Sequence, residues 1–140
     1  MNIVHFGGNA GGDTNISLKS STGSVFTINS SGHPGPIAGS PSTNDGIWHH
    51  VAAVYDGTDL TLYVDGVPET PDNTFDFDID YSIFHIGNNS ALNTPWNGEI
   101  DDVRIWNVAR SATDILGNLT TKISSAPGLV ASYDFNLDVG

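Results

Sequence analysis

Short runs of β-branched and aromatic residues, separated by turn-forming residues, recur along the whole 140-residue chain. This texture is typical of an all-β sandwich, because such side chains fit a pleated, half-buried surface. No internal repeat or linker divides the chain, so we expect one domain over residues 1–140. The runs predict strands at residues 2–6, 16–20, 24–28, 47–55, 60–66, 74–80, 82–87, 99–106 and 129–135.

Two Asp-Gly pairs predict tight turns, in "YDGTD" (55–59) and "VDGVP" (64–68), because these positions favour positive φ. The Gly- and Pro-rich segment 30–46 is predicted to lack regular structure. One short helix is predicted near residues 111–119, with Ser111 as N-cap and Asp114 three residues later. Its apolar stripe comprises Ala112, Ile115, Leu116 and Leu119.

The charge balance restricts the partners. Sixteen acidic residues face four basic ones, for a formal net charge of −12. Nucleic acid is disfavoured, because phosphate binding requires a basic surface, and an anionic membrane surface is disfavoured likewise. No apolar run is long enough to span a bilayer, so we expect no membrane insertion. Neutral ligands and divalent cations remain compatible with this composition.

Several motifs occur in a specific order over residues 46–120: "WHHV" (48–51), "VYDG" (54–57), "LYVDG" (62–66), "IGNN" (86–89) and "NGEIDDVRIWNVARSATDI" (97–115). With these motifs the chain resembles laminin-G-like and pentraxin-like domains of the concanavalin A-like family. The resemblance implies an antiparallel two-sheet jelly-roll sandwich. Such domains normally begin with additional strands ahead of the position of Met1. We therefore expect a sandwich that is incomplete at its N-terminus, and either a homo-oligomer or completion by strands of another chain.

Two loops, 7–15 and 87–98, are rich in Asn, Asp and Gly and supply the hard oxygen ligands that calcium prefers. The resemblance to pentraxin-like domains implies Asp13, Asn15, Asn88 and Asn89 as calcium ligands. The second loop has amides where that pattern has carboxylates, which predicts a weak site or none. Ordinary loop polarity is the alternative interpretation.

Trp96 follows Pro95 in the second loop, where an indole can stack on a sugar ring or close the rim of the sandwich. We take Trp96, Asn93 and His33 as candidate ligand-binding residues.

Histidines and acidic strips elsewhere have structural interpretations. Trp48, His49 and His50 are predicted to pack on a strand, with the two histidines on opposite faces, so they cannot share a metal. In "TFDFDID" (74–80), alternation places three aspartates on one face, either towards solvent or as a cation-binding strip.

The acids in "NGEIDDVRIWN" (97–107) raise the question of catalysis. Hydrolases with this fold carry a Glu-x-Asp-x-x-Glu pattern on one strand. Glu99 and Asp101 match it, but Arg104 stands where the proton donor should be, so we expect no enzyme. We interpret Asp101 and Asp102 as structural anchors, either at a β-bulge or on a strand that is covered on both faces.

These observations together predict a non-catalytic carbohydrate-binding or adhesion module of an extracellular bacterial protein, with calcium as a candidate cofactor. The alternative is a protein–protein interaction or structural assembly module on the same scaffold. The first residues lack the features of a signal peptide, so we expect any export signal to lie outside this chain.

Overall fold

A computed structural model of the chain describes residues 1–7, 16–20, 26–30, 37–38, 45–74 and 83–136. These residues form ten strands and one helix. The elements are β1 Asn2–Phe6, β2 Ile16–Ser20, β3 Phe26–Ser30, β4 Ile37–Ala38, β5 Val51–Tyr55, β6 Leu60–Val64, β7 Val67–Pro68, β8 Phe84–Ile86, β9 Val103–Trp106, α1 Ala112–Gly117 and β10 Leu129–Tyr133.

The strands form an antiparallel sandwich. One sheet has five strands in the order β4-β3-β2-β1-β8. The other described strands form a three-stranded sheet, β5-β6-β7, and a two-stranded sheet, β10-β9. Every pair of strands among the described residues is antiparallel. The all-β class with one short helix is therefore confirmed.

The core lies where β1 and β2 face β6. Its buried side chains are Ile3, Ile16, Leu60, Leu62 and Val64, and partly buried residues of β5 and of loop 87–98 pack against them. Leu62 has no exposed surface. The β10-β9 sheet meets the five-stranded sheet at β8, where the ring centroids of Tyr133 and Phe84 are 6.0 Å apart.

The predictions for β1 and β2 are confirmed residue for residue, but two strands begin four residues later than predicted. β5 begins at Val51 rather than at residue 47, and β9 begins at Val103 rather than at residue 99. The packing role predicted for Trp48 is therefore wrong. Its side chain is 64% exposed, because the segment that carries it does not lie in the sheet.

Segment 30–46 contains some regular structure, contrary to the prediction. Residues 37–38 form the two-residue strand β4, whose Ile37 and Ala38 pair with Ile28 and Thr27 of β3. A two-residue pairing requires no alternation of apolar residues, so the composition of the segment gives no sign of it. The aspartate strip at residues 76, 78 and 80 lies outside the described residues.

Both Asp-Gly turns and the helix are confirmed. Asp65 and Gly66 have φ of 51° and 80° and join β6 to β7, as a tight hairpin turn requires. The hydroxyl of Ser111 accepts a hydrogen bond from the N–H of Asp114 and caps α1. Of the predicted apolar stripe, Ile115 is buried. Leu116 lies so close to Gly66 that a Cβ at that glycine would be 2.7 Å from its Cδ1. Among the described residues, no helix has the length and apolar character needed to span a bilayer.

Candidate functional site

Loop 87–98 is fastened to β1 and to the core beneath it. The N–H of Gly87 donates to the carbonyl of Ile3 at 2.8 Å, and the N–H of Trp96 donates to the carbonyl of Gly87 at 2.7 Å. Asn2 is buried and binds Thr94 twice, through its backbone N–H at 3.1 Å and through its Nδ2 to Oγ1 at 2.6 Å. The loop is thus held at both ends and forms an ordered rim of the sandwich.

Three asparagine side chains order this loop from within. Asn88 Oδ1 accepts from the N–H of Asn89 at 2.9 Å and from the N–H of Thr94 at 3.1 Å. Asn89 Oδ1 accepts from the N–H of Asn93 at 3.1 Å, and its Nδ2 donates to Asn93 Oδ1 at 2.9 Å. The structure therefore brings Asn88, Asn89 and Asn93 together. A cation would compete with backbone N–H groups for the Asn88 and Asn89 oxygens.

Trp96 lies half-buried at the end of this rim. Its indole packs against the core cluster, and its Nε1 donates to the carbonyl of Glu99 at 3.2 Å. A Cβ at Gly98 would be 2.9 Å from Nε1, so this glycine leaves room for the indole. In the same loop, the side chain of Leu92 is 65% exposed. Trp96 thus closes the rim and also reaches the surface of the loop.

His5 is a residue of this site that the sequence did not single out. It is 3% exposed and lies beneath the loop. Its Nδ1 is 2.6 Å from the hydroxyl of Ser17, and its Nε2 is 3.1 Å from the carbonyl of Gly7 and 3.2 Å from the hydroxyl of Ser90. Burial lowers the pKa of His5, and this effect is larger than the increase caused by the hydrogen bond with the Gly7 carbonyl. The alternation in β1 could have identified His5 as buried, because it lies two residues after buried Ile3 and alternate residues of a strand point to the same face.

The remaining predicted site residues are not among those that the structure describes. Asp13, Asn15 and His33 lie outside the described residues. Within those that are described, no group of three or more His, Cys, Asp or Glu side chains is arranged to hold a metal ion.

Asp101 and Asp102 precede β9, at a point where the backbone departs from regular strand geometry. Asp102 has φ of 50°, and its N–H donates to Asp101 Oδ1 at 2.8 Å. Arg104 Nη2 donates to Asp102 Oδ2 at 2.9 Å, with the arginine side chain only 9% exposed. The predicted hydrogen bonds from backbone and from Arg104 are confirmed. The irregularity is the left-handed backbone of Asp102, just before β9 begins. The register shift of the β9–β10 pair lies elsewhere, between Leu129 and Ala131 of β10.

Asp65 fastens the segment before β5 to the β6–β7 turn. Its carboxylate is 2.8 Å from His49 Nδ1 and accepts the N–H of His50 at 2.9 Å. His49 Nε2 is 3.1 Å from Asp45, so the imidazole lies between two carboxylates. The hydrogen bond with Asp65 raises the pKa of His49, assisted by Asp45. Burial and the Arg104 charge lower the pKa of His50.

Comparisons with known proteins agree with this fold. Residues 1–116 match the laminin-G family model described as the concanavalin A-like lectin/glucanases superfamily. This chain belongs to that superfamily. The comparison with curated proteins gives no match.

A solved structure is similar to the chain, namely residues 221–444 of an S-layer domain-containing protein from Clostridium thermocellum. The sequence identity is 25% and the TM-score 0.52. The match covers 86% of this chain and 63% of the solved one, so the chain spans less than two thirds of that structure.

Proposed function

We propose that the chain is a non-catalytic module of an extracellular or cell-surface bacterial protein that binds carbohydrate through loop 87–98. The observation that carries the proposal is the ordered polar rim, in which Asn89 and Asn93 are linked in the same loop that carries the half-buried indole of Trp96. Binding sites for small polar ligands combine an apolar platform with a few fixed polar groups. A rim that is ordered before binding loses less conformational entropy when a ligand arrives.

The comparisons support the class and the location. The superfamily is described by its lectins and glucanases, and the similar solved structure belongs to an S-layer domain-containing protein. The non-catalytic assignment is supported by Arg104, which occupies the position of the missing proton donor and binds Asp102 at 2.9 Å.

A glycan array with three tryptophan variants tests the proposal. Trp96→Ala should weaken binding about tenfold or more, as truncation of an aromatic anchor does at many interfaces. Trp96→Phe keeps an apolar ring and should retain most of the binding. Trp48→Ala is the matched control, because Trp48 is 64% exposed and lies outside the loop. Thermal unfolding of each variant separates lost binding from lost folding.

Two outcomes would contradict carbohydrate binding at this rim. Loss of binding in Trp48→Ala but not in Trp96→Ala would place the ligand elsewhere. Clean arrays together with stable self-association would instead favour the structural assembly role.

We also propose calcium as a cofactor, with Asp13, Asn15, Asn88 and Asn89 as its ligands. Neutral amides supply oxygen ligands without charge, and two of these oxygens already accept backbone N–H groups, so we expect weak binding. A ligand that binds only the native state raises the melting temperature. We therefore expect a small upward shift in melting temperature at millimolar calcium that EDTA reverses. An unchanged melting temperature would remove these four residues as a metal site.

A further inference from the structure

Four pairs in the chain place an aspartate or an asparagine directly before a glycine. They are Asp45-Gly46, Asp56-Gly57, Asp65-Gly66 and Asn97-Gly98. In such a pair the glycine nitrogen can attack the side-chain carbonyl carbon of the preceding residue. Glycine favours this attack, because it has no Cβ to obstruct the approach and adopts many backbone conformations. All four pairs lie among the described residues, so the structure shows which of them are restrained.

The three Asp-Gly pairs are restrained, because backbone N–H groups hold each carboxylate. These hydrogen bonds run from Ile47 to Asp45 at 3.1 Å, from Thr58 and Asp59 to Asp56 at 2.9 Å, and from His50 to Asp65 at 2.9 Å. The N–H of Asp59 also holds the pKa of Asp56 below its usual value, which favours the ionised form. A fixed, ionised carboxylate resists attack by the neighbouring nitrogen.

The Asn97-Gly98 pair has no such restraint. Asn97 is exposed and lies outside regular secondary structure. Its side-chain amide makes no hydrogen bond with another residue that the structure describes, and neither does the N–H of Gly98. Attack of the Gly98 nitrogen on Asn97 therefore requires no prior break of a bond within the described part of the chain.

The same pair lies within a turn that the indole of Trp96 closes. Nε1 of Trp96 donates to the carbonyl of Glu99 at 3.2 Å, so this hydrogen bond spans the Asn97-Gly98 pair. A Cβ at Gly98 would be 2.9 Å from Nε1, which places the glycine backbone directly against the indole. A change in the main chain at Asn97 therefore acts on the Trp96 side chain.

We propose that Asn97 is a site of spontaneous deamidation, and that the isoaspartate formed there releases the indole of Trp96 from Glu99. The Gly98 nitrogen loses its proton and forms a bond to Cγ of Asn97. The bond from Cγ to Nδ2 breaks, and Nδ2 leaves as ammonia. Water then breaks one of the two C–N bonds of the succinimide ring. Overall, one water is consumed, one ammonia is released, and a carboxylate replaces the amide.

The two products of ring opening differ in their effect on the turn. Opening at Cγ gives aspartate, which adds a negative charge but leaves the main chain unchanged. Opening at the backbone carbonyl gives isoaspartate, whose main chain gains one carbon atom between Trp96 and Glu99. The backbone N–H of Trp96 stays bound to the carbonyl of Gly87 at 2.7 Å, so the added length displaces the indole contact. The inference does not depend on carbohydrate binding.

Ageing of the purified, folded chain tests the modification. The chain is incubated for several days in mildly alkaline buffer, digested and analysed by mass spectrometry, with electron-transfer fragmentation to distinguish isoaspartate from aspartate. We expect Asn97 to deamidate about tenfold or more faster than Asn89, because the Asn89 amide must first break its two hydrogen bonds with Asn93. An unmodified Asn97, or deamidation of Asn89 at a similar or greater rate, would overturn the proposal.

Two substitutions at the same position are the matched controls. Asn97→Gln keeps an exposed, neutral amide, but attack by the Gly98 nitrogen must now close a larger ring, so we expect no mass change at this position over the same period. Asn97→Asp, measured fresh, supplies the negative charge without the additional main-chain atom. It therefore separates the effect of charge from that of isoaspartate.

The NMR signals of the indole N–H groups test the release of Trp96. The Trp96 signal, identified by its loss in Trp96→Phe, should be nearly the same in fresh wild type, Asn97→Gln and Asn97→Asp. Aged wild type should show a second Trp96 signal in proportion to its isoaspartate content, while the signals of Trp48 and Trp106 stay unchanged. An unchanged Trp96 signal in an isoaspartate-rich sample, or the same shift in fresh Asn97→Asp, would overturn the proposed release.

Discussion

Two halves of the sandwich differ in how well their apolar residues are covered. The closed half consists of β1, β2 and β6, each of which pairs with a strand on both sides. The open half consists of β5, β9 and β10, each with one paired edge among the described residues. Apart from Ile115 of α1, every buried apolar side chain described belongs to the closed half.

The difference does not follow from hydrophobicity. The open strand VAAVY is richer in apolar residues than LTLYV of β6, and VRIW contains one polar residue, as LTLYV does. Yet Val130 of β10 is 62% exposed, whereas Leu62 of β6 is fully covered. A side chain on a strand is covered by the neighbouring strands and by the opposing sheet together, so a strand with one paired edge lacks part of that cover.

The largest expected effect compares one aliphatic residue from each half. Leu62→Ala should lower the free energy of unfolding by about 2–5 kcal/mol, through lost burial and the cavity left behind. Val130→Ala should change it by about 0.5 kcal/mol or less, because the side chain is already mostly in water. Urea unfolding of the purified chain measures both values. Similar losses in the two variants would show that the open half is covered in solution.

A second, smaller effect concerns the acids ahead of β9. Asp102→Asn keeps a residue that tolerates positive φ but removes the charge that Arg104 binds. We expect a loss of about 1–2 kcal/mol in the free energy of unfolding, because Arg104 is largely buried and its other hydrogen bond among the described residues, to the carbonyl of Asn118, is long at 3.5 Å. Asp101→Asn is the control, since its Oδ1 can still accept the N–H of Asp102.

The same variants test whether these two aspartates have a structural role or take part in carbohydrate binding. Asp102→Asn should leave carbohydrate binding unchanged once the folded fraction is taken into account. If Asp102→Asn weakened binding more than it lowered stability, the acids would belong to the functional site.

The sequence predicted those parts of the fold that local patterns determine. Alternation located β1 and β2, Asp-Gly located the turn at Asp65, and a capping pattern located the helix after Ser111. The beginnings of β5 and β9 were predicted too early, because tertiary hydrogen bonds and a positive φ keep the preceding residues out of the strands. Asp65 binds the segment ahead of β5, and Asp102 adopts positive φ ahead of β9.

The asparagines of loop 87–98 could be named as candidates from the sequence, but their contacts could not. The resemblance indicated Asn88 and Asn89, and the linkage of Asn89 to Asn93 depends on a loop conformation that no spacing rule specifies. His5 was not predicted as a site residue, because a histidine on a strand is ordinarily interpreted as a packing residue. Its contact with Ser90 joins residues 85 positions apart in the chain.

The smallest expected effect is the pH dependence of stability that one histidine in each half contributes. The pKa of His49, beside the open edge of β5, is raised by Asp65 and Asp45. Its contribution to stability is therefore fully present below the unfolded value of about 6.5 and is lost as pH rises through the raised pKa. The pKa of His5, in the closed half, is lowered by burial. The folded state thus resists protonation of His5, and stability falls as pH drops below about 6.5 towards the lowered pKa.

Unfolding free energies of the wild type and of His49→Gln between about pH 5 and 8 test these opposite signs. The wild type should exceed the variant most at the acidic end, and the difference should shrink as pH rises through the raised pKa. His5→Gln should show the reverse, with its deficit relative to the wild type smallest at the acidic end, where the wild type pays the cost of protonating a buried imidazole. A His49→Gln difference that grows with pH would mean that this imidazole is neutral between its two carboxylates. The segment ahead of β5 would then be held by the His50 N–H bond to Asp65 rather than by charge.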